Sequence, residues 1–137
     1  MRSREQATTK APPEQFTGDA YVDMIVEGEE PSRVRAAFVR FAPGARNGWH
    51  AHAVGQTVHV TDGLGRIQSR GQEIVEMRAG DTVVTPAGVW HWHGAAPDRF
   101  MTHLAIWEAP PDGRPETEWG ELVTDAEYDA RSVDNAR

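Results

Sequence analysis

Between residues 21 and 107, turn residues cut the chain at near-regular intervals into short runs rich in β-branched and apolar side chains. The runs are 21–26, 34–41, 50–61, a hairpin pairing 65–69 with 74–77 around Arg70-Gly71-Gln72, then 82–85 and 100–107. Asp62-Gly63, Ala79-Gly80-Asp81, Pro86-Ala87-Gly88 and Pro97-Asp98 stand between them. No helical period survives beyond a turn or two. Many short strands at even spacing predict an all-β sandwich or small barrel. A length of 137 residues allows one such domain.

The two ends read differently. Residues 1–15 mix charged residues with Pro12-Pro13, have no apolar period, and are expected to be mobile or draped over a barrel spanning 16–108. The tail, 109–137, holds eight acids and three arginines, and so carries −5 of the chain's net charge of −7. Thr124 and Glu127 have capping-box spacing, which predicts a short helix over 125–131. A solvated acidic tail with one helical turn is the expectation there. An acidic chain lacks the basic footprint that nucleic acids or anionic membranes require. The absence of cysteine excludes disulfides and thiol chemistry. The opening Met1-Arg2-Ser3-Arg4 run has no apolar segment behind it, so a cytoplasmic location is expected.

In the run 34–41, Val34, Ala36 and Phe38 share one face, and Ala37, Val39 and Phe41 share the other. Apolar residues on both faces imply that one lines a barrel interior while the other is covered. A second subunit is the simplest cover, with the N-terminal segment as the alternative, and a homodimer or higher homo-oligomer is expected. Trp90 and Trp92 point away from the interior and pack behind the sheet or into a partner.

Six histidines are many for this length. His50 and His52 lie two apart in an extended run, as do His91 and His93, so each pair projects to one side. Gln56, Val58 and Val60 keep the parity of the first pair, whereas His59 does not. Several imidazoles on one interior face cost desolvation unless something binds them.

The spacing Gly44-x5-His50-x-His52-x3-Gln56-x6-Gly63, followed sixteen residues later by Gly80-x5-Pro86-x-Gly88-x2-His91, resembles the two cupin motifs. That resemblance implies a double-stranded β-helix, a jelly-roll barrel with a metal in its mouth. Trp49-His50-Ala51-His52, Gly55-Gln56-Thr57, His91 to Pro97 and Met101 to Ile106 are similar to small bacterial manganese cupins that include the cupin-type hydroxynitrile lyases. Cupin segments related to carboxymuconolactone decarboxylase look alike too. The resemblance implies His50, His52, Gln56 and His91 as metal ligands, with His93 and His103 as the two further histidines beside the metal.

Two positions depart from the usual pattern: Gln56 stands where a Glu is common, and Ala95 where an Asn is. Neutral imidazoles and an amide leave a divalent ion its full +2 charge, which favours Lewis-acid chemistry and anionic ligands. Mn²⁺ or Fe²⁺ suits such a donor set, with Ni²⁺ or Zn²⁺ as further possibilities.

Three functions fit these residues. In a lyase, His93 or His103 takes the hydroxyl proton of a cyanohydrin-like or carbonyl substrate, Ala37 and Val39 leave room for an aryl group, and Phe41, Val58 and Trp107 form walls. An iron-dependent dioxygenase and a non-catalytic sensor of small carbonyl compounds use the same barrel. In a sensor, Arg66 or Arg99 would have to reach the cavity to hold a carboxylate.

Overall fold

The structure, a computed structural model, describes residues 6–134. Its strands are β1 (Thr9–Lys10), β2 (Phe16–Thr17), β3 (Ala20–Glu27), β4 (Val34–Phe41), β5 (Arg46–Asn47), β6 (His50–His52), β7 (Gln56–Ser69), β8 (Ile74–Arg78), β9 (Thr82–Thr85), β10 (His91–Ala95), β11 (Met101–Glu108), β12 (Thr117–Trp119) and β13 (Ser132–Asp134). The one helix among the described residues, α1, is Asp125–Tyr128.

One strand joins the two halves of the barrel. The sequence predicts a break at Asp62-Gly63, but β7 stays extended across it and bends at Gly63, whose φ is 82°. A Cβ there would lie 2.0 Å from the Phe100 carbonyl oxygen, so only glycine allows this crossing. The bend also shifts the parity. Gln56, Val58 and Val60 are buried before it, Gly65 and Ile67 after it. Ahead of Gly63, β7 pairs with β9 and β11; beyond it, with β8 and β10.

Two curled sheets result. One runs β1-β3-β4-β11-β7-β9, the other β2-β5-β10-β7-β8-β13, with β6 and β12 attached through β10. Every pairing is antiparallel except that of β13 with β8. Val39, Phe41, Val58, Val60, Met77, Met101 and Ala105 fill the space between the sheets. The run predicted as one strand over 50–61 is two strands, because a turn at residues 53–55 separates β6 from β7.

The ends are tied down. β1 pairs with β3, and Ala11 joins the core, so this part of the N-terminal segment is draped. The tail departs from the solvated segment expected of it. β12 pairs with β6, and Trp49, Ile74, Trp92, Val123 and Tyr128 form a second core beneath the tail. Trp92, its indole N–H donated to Gln68 Oε1, is covered by the chain's own Tyr128, ring to ring at 5.8 Å. Arg46 is buried and donates to the Val123 carbonyl at 2.8 Å and to Asp125 at 2.9 Å. The capping box forms between Thr124 and Glu127, but α1 stops at Tyr128 rather than at 131.

The outer face of β4 carries a half-buried Val34 and Phe38, and the same sheet exposes Ile25, Val84 and Ile106. No helix among the described residues is long and apolar enough to cross a membrane.

Candidate metal centre

Five of the six histidines converge at one end of the barrel. His50 and His52 come from β6, His91 and His93 from β10, and His103 from β11; Gln56 at the start of β7 joins them. Pairing of His91 with His50 across β10 and β6 brings the two H-x-H pairs side by side. The ring centroids of His50 lie 4.3 Å from His91, 5.2 Å from His93 and 5.1 Å from His52. Ligand nitrogens of His50, His91 and His93 all fall within 4.8 Å of one another. His59 sits outside and contacts Thr82, as its parity requires.

Hydrogen bonds fix how these rings face. His50 Nδ1 meets the Gly48 carbonyl at 2.7 Å, and His91 Nδ1 meets the Val89 carbonyl at 3.0 Å. A carbonyl only accepts, so each Nδ1 carries the proton and each neutral ring keeps its Nε2 lone pair for the interior. Opposite His91 Nε2, at 3.2 Å, stands Gln56 Oε1. Two acceptors face each other there. That is the separation of neighbouring ligands each about 2.1 Å from a shared ion. His52 Nε2 is buried with no well-formed hydrogen bond.

Burial keeps the cluster uncharged. It pushes His52 down to about 4, helped by His91 and opposed by the nearby Gln56 amide. His103 is pushed to about 4, again by burial. His50 and His93 lie well below the ordinary imidazole value for the same reason first, then because of neighbouring imidazoles, and His91 is lowered too. Neutral imidazoles are the form that binds a cation, and the donor set of imidazole nitrogens and an amide oxygen fits a divalent ion of intermediate hardness.

The remaining histidines form a polar chain running inward. His93 Nε2 lies 3.1 Å from Gln56 Oε1, and His93 Nδ1 lies 2.8 Å from His103 Nε2. His103 Nδ1 is buried with no partner outside its own residue. Asn47 holds this chain in place: its Oδ1 accepts the His93 backbone N–H at 2.8 Å, and its Nδ2 lies 3.2 Å from His93 Nδ1.

The cluster opens into a cavity of about 250 Å³. Ala37, Val39, Ala105 and Trp107 line it together with Phe16, Val22, Met24 and Trp119, and among the described residues no Lys or Arg does. Phe41 and Val58 lie deeper, in the core, with Phe41 edge-on to His103 at 5.3 Å. Arg66 is turned away to the tail, donating to the Tyr128 carbonyl at 2.7 Å.

Sequence reasoning did not find Asn47 or the tail's contribution. Trp119 stacks on His50 at 4.8 Å, Thr117 Oγ1 lies 3.1 Å from His52 Nδ1, and Glu116 accepts the Trp107 indole N–H at 2.8 Å. The available signal was the run of Trp119, Leu122 and Val123, apolar residues out of place in a purely solvated acidic tail.

Comparison with known proteins agrees with this architecture. The cupin domain family matches residues 37–107. The chain is 45% identical over 127 residues to an (R)-mandelonitrile lyase from Granulicella tundricola, covering 93% of this chain and 95% of that one. A cupin-like protein from Thermotoga maritima superposes with a TM-score of 0.83 at 37% identity, covering 93% and 95% of the two chains. A cupin 2 conserved barrel domain protein from Rhodopseudomonas palustris shares the fold at a TM-score of 0.69 and 18% identity, over 88% and 79%. Fold, motifs and sequence agree: the chain belongs to the cupin family.

Proposed function

We propose that this cupin is a metal-dependent lyase that cleaves aryl cyanohydrins to an aldehyde and hydrogen cyanide, and runs the reverse addition. One observation carries the reading: with His50, His52, Gln56 and His91 taken as the ligands, His93 and His103 are left as a hydrogen-bonded pair of imidazoles beside an apolar cavity. The similarity to a mandelonitrile lyase over nearly the whole chain supports it.

His50, His52, Gln56 and His91 would hold the ion; Mn²⁺ is proposed from the resemblance to the manganese cupins, and the donor set of imidazole nitrogens and one amide oxygen also suits Fe²⁺, Ni²⁺ and Zn²⁺. When bound, a divalent ion supplies Lewis acidity that lowers the pKa of a substrate hydroxyl. The chain's own residues do the rest. His93, neutral because it is buried, takes the hydroxyl proton with His103 hydrogen-bonded behind it. As the carbonyl forms, the C–C bond breaks and its electron pair leaves with the cyanide carbon. The proton held by the histidine pair then passes to cyanide. Burial that disfavours imidazolium makes that return easy. Ala37 and Val39 are small enough to admit an aryl ring, and Trp107 and Trp119 wall it. Assembly as a homodimer through the Val34, Ala36 and Phe38 face belongs to the same proposal, with sedimentation as its test.

The test is a parallel assay of Mn²⁺-loaded and Fe²⁺-loaded protein. Benzaldehyde release from mandelonitrile above the buffer rate supports the lyase. Oxygen uptake with a diketone or thiol panel, and no benzaldehyde, would replace it by a dioxygenase; silence in both assays would leave a binding role.

A further inference from the structure

We propose that the C-terminal strand is part of the metal centre. In this reading Thr117 sets His52 as a ligand, and tail docking and metal binding are thermodynamically linked. The inference rests on the metal-centre half of the proposed function and not on the lyase chemistry.

The outer nitrogens of three imidazoles differ in what they meet. His50 and His91 each give Nδ1–H to a carbonyl two residues away in their own segment, Gly48 and Val89. His52 has no such local acceptor. Its Nδ1 meets the hydroxyl of Thr117, 65 residues along the chain. A hydroxyl can donate or accept, so this contact alone leaves two tautomers open. The other end of the ring decides between them. His52 Nε2 is buried and lacks a well-formed hydrogen bond. An N–H there would have only the poorly placed Gln56 amide to meet, whereas a lone pair would meet a cation. With an ion present, Thr117 therefore accepts from Nδ1–H.

Thr117 owes its position to β12, which pairs with β6 in the register Thr117↔His52 and Trp119↔His50. The strand is anchored on both sides. Glu116 contacts Trp107 and Arg35, and beyond Trp119 the buried Arg46 clamps Val123 and Asp125. Removing the outer partner of a ligating histidine costs 10–100-fold in metal affinity as a rule. By reciprocity, ion binding must hold the tail down by the same factor.

The experiment titrates the metal-free full-length chain with Mn²⁺ and follows free Mn²⁺ by electron paramagnetic resonance. Wild type, Thr117→Val and Thr117→Ser are compared. Valine keeps the shape and removes the acceptor, while serine restores it; Thr117→Ala replaces valine should that variant not fold. Affinity is expected to fall about 10–100-fold in Thr117→Val and to recover in Thr117→Ser. Amide exchange at Thr117–Trp119 is expected to slow on Mn²⁺ addition in wild type. If Thr117→Val binds as tightly as wild type, Thr117 does not set a ligand of the ion, and the inference falls; His93, whose nitrogen lies within reach of His50 and His91, is then the alternative third ring to test. A wild type that binds no Mn²⁺ overturns the metal centre and this inference with it. No arm uses cyanohydrin turnover, so failure of the lyase chemistry is read separately.

Discussion

Acidifying the metal-free protein from pH 7 to pH 5 should remove a large part of its stability. The cause is a set of histidines that fold in the neutral form. An unfolded histidine titrates near 6.5, whereas burial holds His52 and His103 at about 4. Between those values the unfolded chain binds protons that the folded chain refuses. Stability therefore falls as pH falls through that window, and the loss stops growing below about 4, where the folded state protonates as well. For each of the two groups the loss between pH 7 and pH 5 is about 2 kcal/mol, so about 4 kcal/mol together. His50, His91 and His93 are shifted in the same direction and add to it. Against a typical total of about 5–15 kcal/mol, the effect is large. The lowered carboxyl of Glu127, held down first by the Thr124 backbone N–H, acts mainly as pH falls below its ordinary value of 4.5, under the pH 5 end point, and so does not mimic the effect. Urea midpoints of chelator-treated protein at the two pH values measure the loss, and His103→Gln should shrink it by about 2 kcal/mol. A midpoint that is unchanged or higher at pH 5 would refute the reasoning.

Other changes give distinct expectations. With Gln56 among the proposed ligands, Gln56→Glu adds a negative charge to the ligand set, so Mn²⁺ affinity should rise and turnover of any established substrate should fall, as read by metal titration and steady-state kinetics. Trp119→Ala removes a cavity wall and the ring stacked on His50, and should raise KM for aryl cyanohydrins far more than for acetone cyanohydrin. Tyr128→Phe strips the hydroxyl that reaches the Ala95 carbonyl and leaves that carbonyl buried and unpaired; thermal unfolding should report about 1–3 kcal/mol lost.

Much of the site is legible in the sequence because a strand has a period of two. His50 with His52, and His91 with His93, must share faces wherever the chain is extended, and the structure brings both pairs together. Gln56 keeps that inner face although a turn intervenes, because Gly55 (φ 84°) re-aims the chain before β7 begins. What the sequence hides is the result of long-range pairing. Nothing local tells Thr117 to bind His52, nor Trp119 to cover His50; β12 acquires both roles by adding to the edge of β6. Asn47 is hidden for a similar reason. Its value lies in a hydrogen bond to the His93 backbone across two strands, and a lone Asn before a glycine reads as a turn residue. The acidity of the tail suggested solvent, while the residues that dock it, Trp119, Val123 and Tyr128, are few and scattered among its charges.

The most direct test of the account follows benzaldehyde release from mandelonitrile with one protein sample carried through three states: loaded with Mn²⁺ and shown to hold it by elemental analysis, stripped by chelator, and reloaded. The account predicts release above buffer in the first state, loss of that release in the second, and recovery in the third. A fully loaded sample that releases benzaldehyde no faster than buffer would contradict it, as would release that persists unchanged after the metal is gone.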